Sequence, residues 1–126
     1  MGAYQSIEPL GTASAALKAA GEPSRLRILK ALELGELCSC HFEELLGVSQ
    51  PTVSRHMAAL RSAGLVAERR IERWTYYRLE PATPFADRLL ASIQLWGEDD
   101  AEVEADRARV REYVEKPIAE FCRSRG

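Results

Sequence analysis

The spacing of apolar residues changes character along this chain, and each change predicts an element. Over 12–20, TASAALKAA is rich in helix formers and Gly21 stops it. In EPSRLRILKALELG, residues Leu26, Ile28, Leu29, Leu32 and Leu34 recur at helical spacing. Pro23 stands just before that helix, Ser24 is its expected N-cap and Gly35 its expected terminator. A short helix is predicted over 39–46, closed by Gly47, and Val48 and Ser49 make a tight turn. A longer helix opens at Pro51 and Thr52, with Ser49 as N-cap, and runs to Ser62 before Gly64. Its Val53, Met57 and Leu60 fall at i, i+4 and i+7, a buried stripe. After Gly64 the period drops to two, and LVAERRIERWTYYRLE predicts two strands about a turn at 71–73. FADRLLASIQLW then aligns Phe85, Leu89, Ile93 and Trp96, widened by Leu90 and Leu95, as an amphipathic helix. The acidic stretch 98–116 also reads as helical, with few apolar positions, until Pro117 interrupts it.

The order short helix, turn, longer helix, basic hairpin is that of a winged helix-turn-helix unit. The expected fold is mainly α with a small β-hairpin. A DNA-binding and dimerisation domain covers 1–96, and an acidic helical extension covers 97–126. In such a unit the second helix enters the major groove and its first residues reach base edges. Ser49, Gln50, Pro51, Thr52, Ser54, Arg55 and Arg61 occupy those positions, and an arginine there suits guanine or phosphate. Arg69, Arg70 and Arg73 lie on the hairpin, placed for phosphate or minor-groove contact. His56 on the same helix reads as a packing or phosphate-contact residue.

Net charge is −2, which by itself disfavours a nucleic-acid partner. Its distribution reverses that conclusion. Between 49 and 79 stand six arginines and two acids, whereas 97–116 holds eight acids and four bases. A basic face and an acidic segment can coexist on one chain.

Three blocks carry a family resemblance: EPSRLRILKAL, ELCSCHFEELLGVSQPTVSRHMAALRSAGLV and RWTYYRL. In this order they resemble the ArsR/SmtB family of metal-responsive repressors, over roughly 17–96. The resemblance implies a homodimer with first and last helices at its interface. It further implies repression by operator binding and release when an inducer binds. One short helix gives few base contacts, so two copies are expected to read a palindromic site on double-stranded DNA. TASAALKAA and FADRLLASIQLW supply the apolar faces for that dimer.

ELC-x-C resembles the arsenic-sensing branch, where three thiolates hold As(III) or Sb(III). Soft thiolates suit such ions. In that branch a third cysteine follows three residues after the second, but here that position is Glu43. The remaining cysteine is Cys122, so the expected site is Cys38, Cys40 and Cys122, with the subunit that donates Cys122 left open. Residues two apart on an α-helix point about 200° apart. Cys38 and Cys40 can therefore share an ion only where the segment is non-helical or unwinds. Other readings stay open: a thiol-redox or sulfur-species sensor, a Cd-, Zn- or Pb-responsive repressor using His41, or a DNA-binding protein without an inducer. The family's zinc site on the last helix uses His and carboxylates, and no His follows His56.

No phosphate-binding glycine loop or nucleophile–base pair is present, so an enzyme is not expected. No apolar run approaches the roughly 18 residues of a membrane helix. The first 22 residues lack an export signal, and the sequence after Gly2 does not support myristoylation. A cytoplasmic protein without a membrane partner is expected.

Overall fold

The computed structural model describes residues 8–124. Gly2, and the start of the segment read as lacking an export signal, lie outside the described residues. The order of elements is α1 (Leu10–Ala20), α2 (Pro23–Leu32), β1 (Leu37–Cys38), α3 (Ser39–Leu46), α4 (Gln50–Ser62), β2 (Val66–Ile71), β3 (Trp74–Leu79), α5 (Pro84–Leu95), α6 (Ala101–Tyr113) and α7 (Ile118–Ser124).

The predicted stripe of α4 is the centre of the core. Val53, Met57 and Leu60 are buried against Ile28, Leu29 and Leu32 of α2, Phe42 and Leu45 of α3, and Leu65 and Val66 at the base of the wing. Gly47 ends α3 in the left-handed region, φ 66°, where a side chain would be strained. Its N–H bonds the Glu43 carbonyl at 2.9 Å, and the chain then turns into α4.

Three local expectations are corrected. Glu22, not Ser24, caps α2: its carboxylate accepts from the Arg25 N–H at 2.9 Å, and Pro23 takes the first helical position, where its missing N–H costs nothing. The same helix ends at Leu32, three residues before Gly35. Most consequentially, the sheet has three strands in the order β1-β3-β2, because Leu37 and Cys38 pair antiparallel with Tyr77 and Tyr76. Two residues carry no readable alternation, so only pairing with the wing makes them a strand.

α1 packs on α2, α4 and α5, yet Leu10 and Leu17 on α1, and Leu95 and Trp96 at the end of α5, stay exposed. Buried Lys30 ties α5 to the core. Its ammonium donates to the carbonyls of Ile93, at 2.9 Å, and Trp96 at the helix C-terminus, where positive charge is favoured, and pairs with Glu33 at 3.0 Å. Gly97 follows at φ 102°, and a Cβ there would meet the Lys30 side chain at 3.1 Å.

The acidic helix α6 packs against α2 and α3. Asp106 of α6 is buried and accepts both Nε (2.9 Å) and Nη2 (3.0 Å) of Arg27 on α2, and Nη2 of Arg109 (2.6 Å). Arg27 also donates to the Leu45 carbonyl at the end of α3 (3.3 Å). Burial alone would raise the Asp106 pKa, but the two guanidiniums outweigh it and hold the carboxyl below its ordinary 3.8. Arg107 reaches Glu33 at 3.1 Å. These ion pairs join α6 to α2 beside its buried Val103 and Val110.

Candidate nucleic-acid interface and thiol cluster

The outer face of α4 is polar and ordered by its own side chains. Ser49 Oγ lies 3.2 Å from Thr52 Oγ1, Gln50 Nε2 donates to Ser54 Oγ at 3.2 Å, and Arg55 Nη2 donates to Thr52 Oγ1 at 3.0 Å. Ser49, Gln50, Pro51, Ser54, Arg55 and Arg61 are exposed, and Thr52 is half-buried. Ser49 occupies the N-cap position, but its side chain bonds Thr52 rather than a backbone N–H. His56 is half-buried beside Arg25 and Glu22, with Nδ1 at 3.4 Å from Arg25 Nη1, so it packs between α4 and the start of α2.

A groove of about 240 Å³ separates α4 from the wing, lined by Ser54, Met57, Ala58, Arg61, Glu68 and Tyr77. The wing tip at Glu72, φ 58°, turns the exposed Arg70 and Arg73 outward, and Arg73 covers the Trp74 ring at 4.8 Å. Two of the basic residues are already engaged. Arg61 is in ion-pair contact with Glu68. Arg69 makes a bidentate pair with Glu36 at 2.7 and 2.6 Å, which holds the Glu36 carboxyl below its ordinary range. Glu36 had no signal in the sequence, since it becomes Arg69's neighbour only through the β1–β3 pairing.

The three cysteines meet where β1, the start of α3 and α7 come together. Their sulfurs all lie within 4.8 Å of one another, and Cys122 comes from the same chain. Cys38 is not on a helix: it ends β1 in extended conformation, φ −85° and ψ 155°, as the N-cap of α3. The obstacle of two cysteines on opposite helix faces is therefore absent, and no turn must unwind. Cys40 stands one step inside α3, and α7 returns Cys122 to it, with Cα atoms 6.0 Å apart and the two sulfurs in bonding contact. Cys38 is fully buried and its thiol is free. Burial pushes that thiol's pKa up, and the Cys40 and Ser39 N–H groups and the Ser39 hydroxyl pull it back only in part.

His41 is buried beside this cluster. Its Nδ1 accepts the Cys38 N–H at 3.0 Å, so that nitrogen is committed to capping α3 rather than to a metal. Desolvation lowers its pKa to about 4, so the ring is neutral at physiological pH. Phe121 meets the ring at 4.9 Å, and Tyr113 stacks at 6.4 Å.

Helix, turn, recognition helix and basic hairpin, built on one core, define a winged helix-turn-helix DNA-binding protein. Residues 22–68 match the family described as bacterial regulatory protein, arsR family. An arsenic resistance transcriptional regulator of Pseudomonas putida is 40% identical over 99 residues, 75% of this chain and 72% of that protein. The arsenical resistance operon repressor of Escherichia coli is 46% identical over 68 residues, 53% of this chain and 58% of that one. Among solved structures, HlyU from Vibrio cholerae aligns with TM-score 0.59 at 33% identity, over 68% of this chain and 87% of that chain. The homodimeric winged helix-turn-helix DNA-binding domain of a possible ArsR-family regulator of Mycobacterium bovis aligns with TM-score 0.59 at 34% identity, over 68% and 78%. This chain belongs to the arsR family of bacterial regulatory proteins, which are DNA-binding transcriptional regulators and not enzymes. Cys38 and Cys40 lie inside the matched segment, whereas β3 and everything after it, Cys122 included, lie beyond it. Among the described residues no helix is long and apolar enough to cross a membrane.

Proposed function

We propose that this repressor binds a palindromic operator as a homodimer in the cytoplasm and releases it when trivalent arsenic or antimony is held by Cys38, Cys40 and Cys122. The meeting of three sulfurs from two ends of one chain carries this reading. With metal–sulfur bonds of about 2.3 Å, two sulfurs on one ion are at most about 4.6 Å apart. A spread of 4.8 Å is thus within small side-chain adjustments of a three-sulfur site. The donor set is three sulfurs, which suits a three-coordinate thiophilic ion better than zinc, whose structural sites take four ligands, and the names of the relatives in Pseudomonas putida and Escherichia coli point the same way. Each thiol would give up its proton and displace one hydroxide of arsenite, three waters leaving for three As–S bonds.

Cys38 stands opposite Tyr76, and Tyr76 opposite Arg69, so one row of the sheet runs from the sulfurs to the wing. Cys40 sits in the helix that braces α4. An ion that binds the DNA-competent arrangement less tightly than another shifts the population toward release; equal affinity for both would shift nothing. The exposed Leu10, Leu17, Leu95 and Trp96 supply the apolar surface for a second copy. The test is a gel shift on the reduced protein: micromolar arsenite dissociates the wild-type complex but not complexes of Cys38→Ser or Cys40→Ser. Normal dissociation of both variants rejects the site.

The recognition residues give a second expectation. Arg55→Ala weakens operator binding by about 1–3 kcal/mol and relaxes specificity, as loss of a base contact does. Arg70→Ala weakens binding to all sequences and lowers the salt slope by about one. Fluorescence anisotropy across a salt series separates the two.

The bonding contact of Cys40 and Cys122 favours one alternative reading, a thiol-redox sensor. There, peroxide would take two electrons and two protons from the pair, leaving a disulfide and two waters. Release of the operator by peroxide without arsenite, with the Cys40–Cys122 linkage found by non-reducing peptide mass analysis, would favour it.

A further inference from the structure

We propose that His41 is the positioning residue that assembles the three sulfurs, fixing Cys38 through Nδ1 and Cys122 through the contact of its ring with Phe121. This rests on reading the cysteines as the inducer site. The imidazole is 5% exposed at the third position of α3. On one side it accepts the Cys38 N–H at 3.0 Å, which sets the backbone that carries the buried sulfur. On the other, its ring meets Phe121 at 4.9 Å with planes 60° apart, and Phe121 in turn meets Tyr113 at 5.1 Å.

Phe121 directly precedes Cys122 and is the only buried residue among 118–123. The short helix α7 is thus seated through that ring, and the seat determines where the Cys122 sulfur falls. Cys40, the third sulfur, is His41's own chain neighbour. One side chain therefore contacts or adjoins every ligand-bearing segment. It does so without offering Nδ1 as a ligand, since an ion there would take the acceptor from the α3 cap.

Two substitutions divide the roles. His41→Gln keeps an acceptor able to reach back to the N-cap amide, as glutamine does at this position of a capping box, but removes the ring. His41→Phe keeps the ring and removes the acceptor. The metal-free, reduced full chain is treated with diamide, which takes up the two thiol hydrogens, and disulfides are mapped by peptide mass. Wild type closes Cys40–Cys122. His41→Gln closes it about tenfold more slowly as the effective concentration of the two thiols falls, and His41→Phe closes it at nearly the wild-type rate. Phe121→Leu, which leaves His41 intact, slows closure in the same way and guards against a folding defect in the glutamine variant.

With arsenite, X-ray absorption of wild type reports three sulfurs. His41→Phe reports two, with affinity about 10- to 100-fold lower, as for other losses of ligand-orienting groups. Operator binding by the metal-free variants, within a few-fold of wild type, shows that the DNA-binding unit is intact. Equal closure rates in wild type, His41→Gln and Phe121→Leu, or three-sulfur binding at full affinity by His41→Phe, overturn the proposal. Should wild type take up no arsenite, the inducer reading fails, while the closure rates still decide the role of His41.

Discussion

Cys122→Ser lowers the affinity of the reduced protein for arsenite by at least about 100-fold, since even the outer groups that orient a ligand are worth 10–100-fold. That is about 3 kcal/mol. The replaced sulfur is one of three within 4.8 Å, and a serine oxygen is a hard donor offered to a soft ion. Metal-free operator binding remains at the wild-type level, because the exposed polar face of α4 and the arginines of the wing tip take no part in the thiol cluster. The variant therefore represses normally but responds to the inducer only at much higher concentrations. Isothermal titration with arsenite and the operator gel shift check both halves. Wild-type arsenite affinity in this variant would remove Cys122 from the site.

Asp106→Ala destabilises the protein by about 1–3 kcal/mol, less than the loss of one partner of a fully buried ion pair, because the guanidiniums left behind are partly exposed. Arg27 would lose both charge-assisted bonds to Asp106 and keep only the Leu45 carbonyl and the longer pair with Glu102, and Arg109 would lose its bond to Asp106 as well. Against a total stability of about 5–15 kcal/mol, this is a large fraction. The loss is expected to fall first on the α6–α7 arm, since α6 has only Val103 and Val110 as buried apolar anchors. Urea unfolding followed by circular dichroism measures the change. A second readout is slower diamide closure of Cys40–Cys122, because undocking α6 withdraws α7. The same carboxylate gives a pH signature. Its folded pKa lies below the ordinary 3.8, so its contribution is fully present above that value and disappears as pH falls through the folded pKa. Wild type loses this part of its stability below about pH 4, and Asp106→Ala has none to lose there. A change within experimental error at neutral pH would show that α6 docks by other contacts.

The recognition unit was legible because its signals are local. The Val53, Met57 and Leu60 stripe, Gly47 after the short helix and the alternation of the hairpin each depend on a few neighbouring residues, and each fell where the pattern put it. Helix ends were less legible. The N-cap of α2 went to Glu22, two residues before Ser24, because Pro23 takes the first helical position and the Glu22 carboxylate reaches the Arg25 N–H.

The thiol cluster divides the same way. The sequence by itself determined the reagents: Cys38 and Cys40 beside the helix that braces α4, one further cysteine, and an arginine-rich wing. Only the tertiary structure decided that Cys38 is extended rather than helical, because that follows from pairing Leu37–Cys38 with β3, some forty residues away. The same holds for Cys122, which reaches Cys40 across 82 residues through Asp106 on Arg27 and Phe121 on His41. Such contacts leave no periodicity in the chain. They join residues whose neighbours in space are not their neighbours in sequence, and it is the closing of the core, not local propensity, that brings them together.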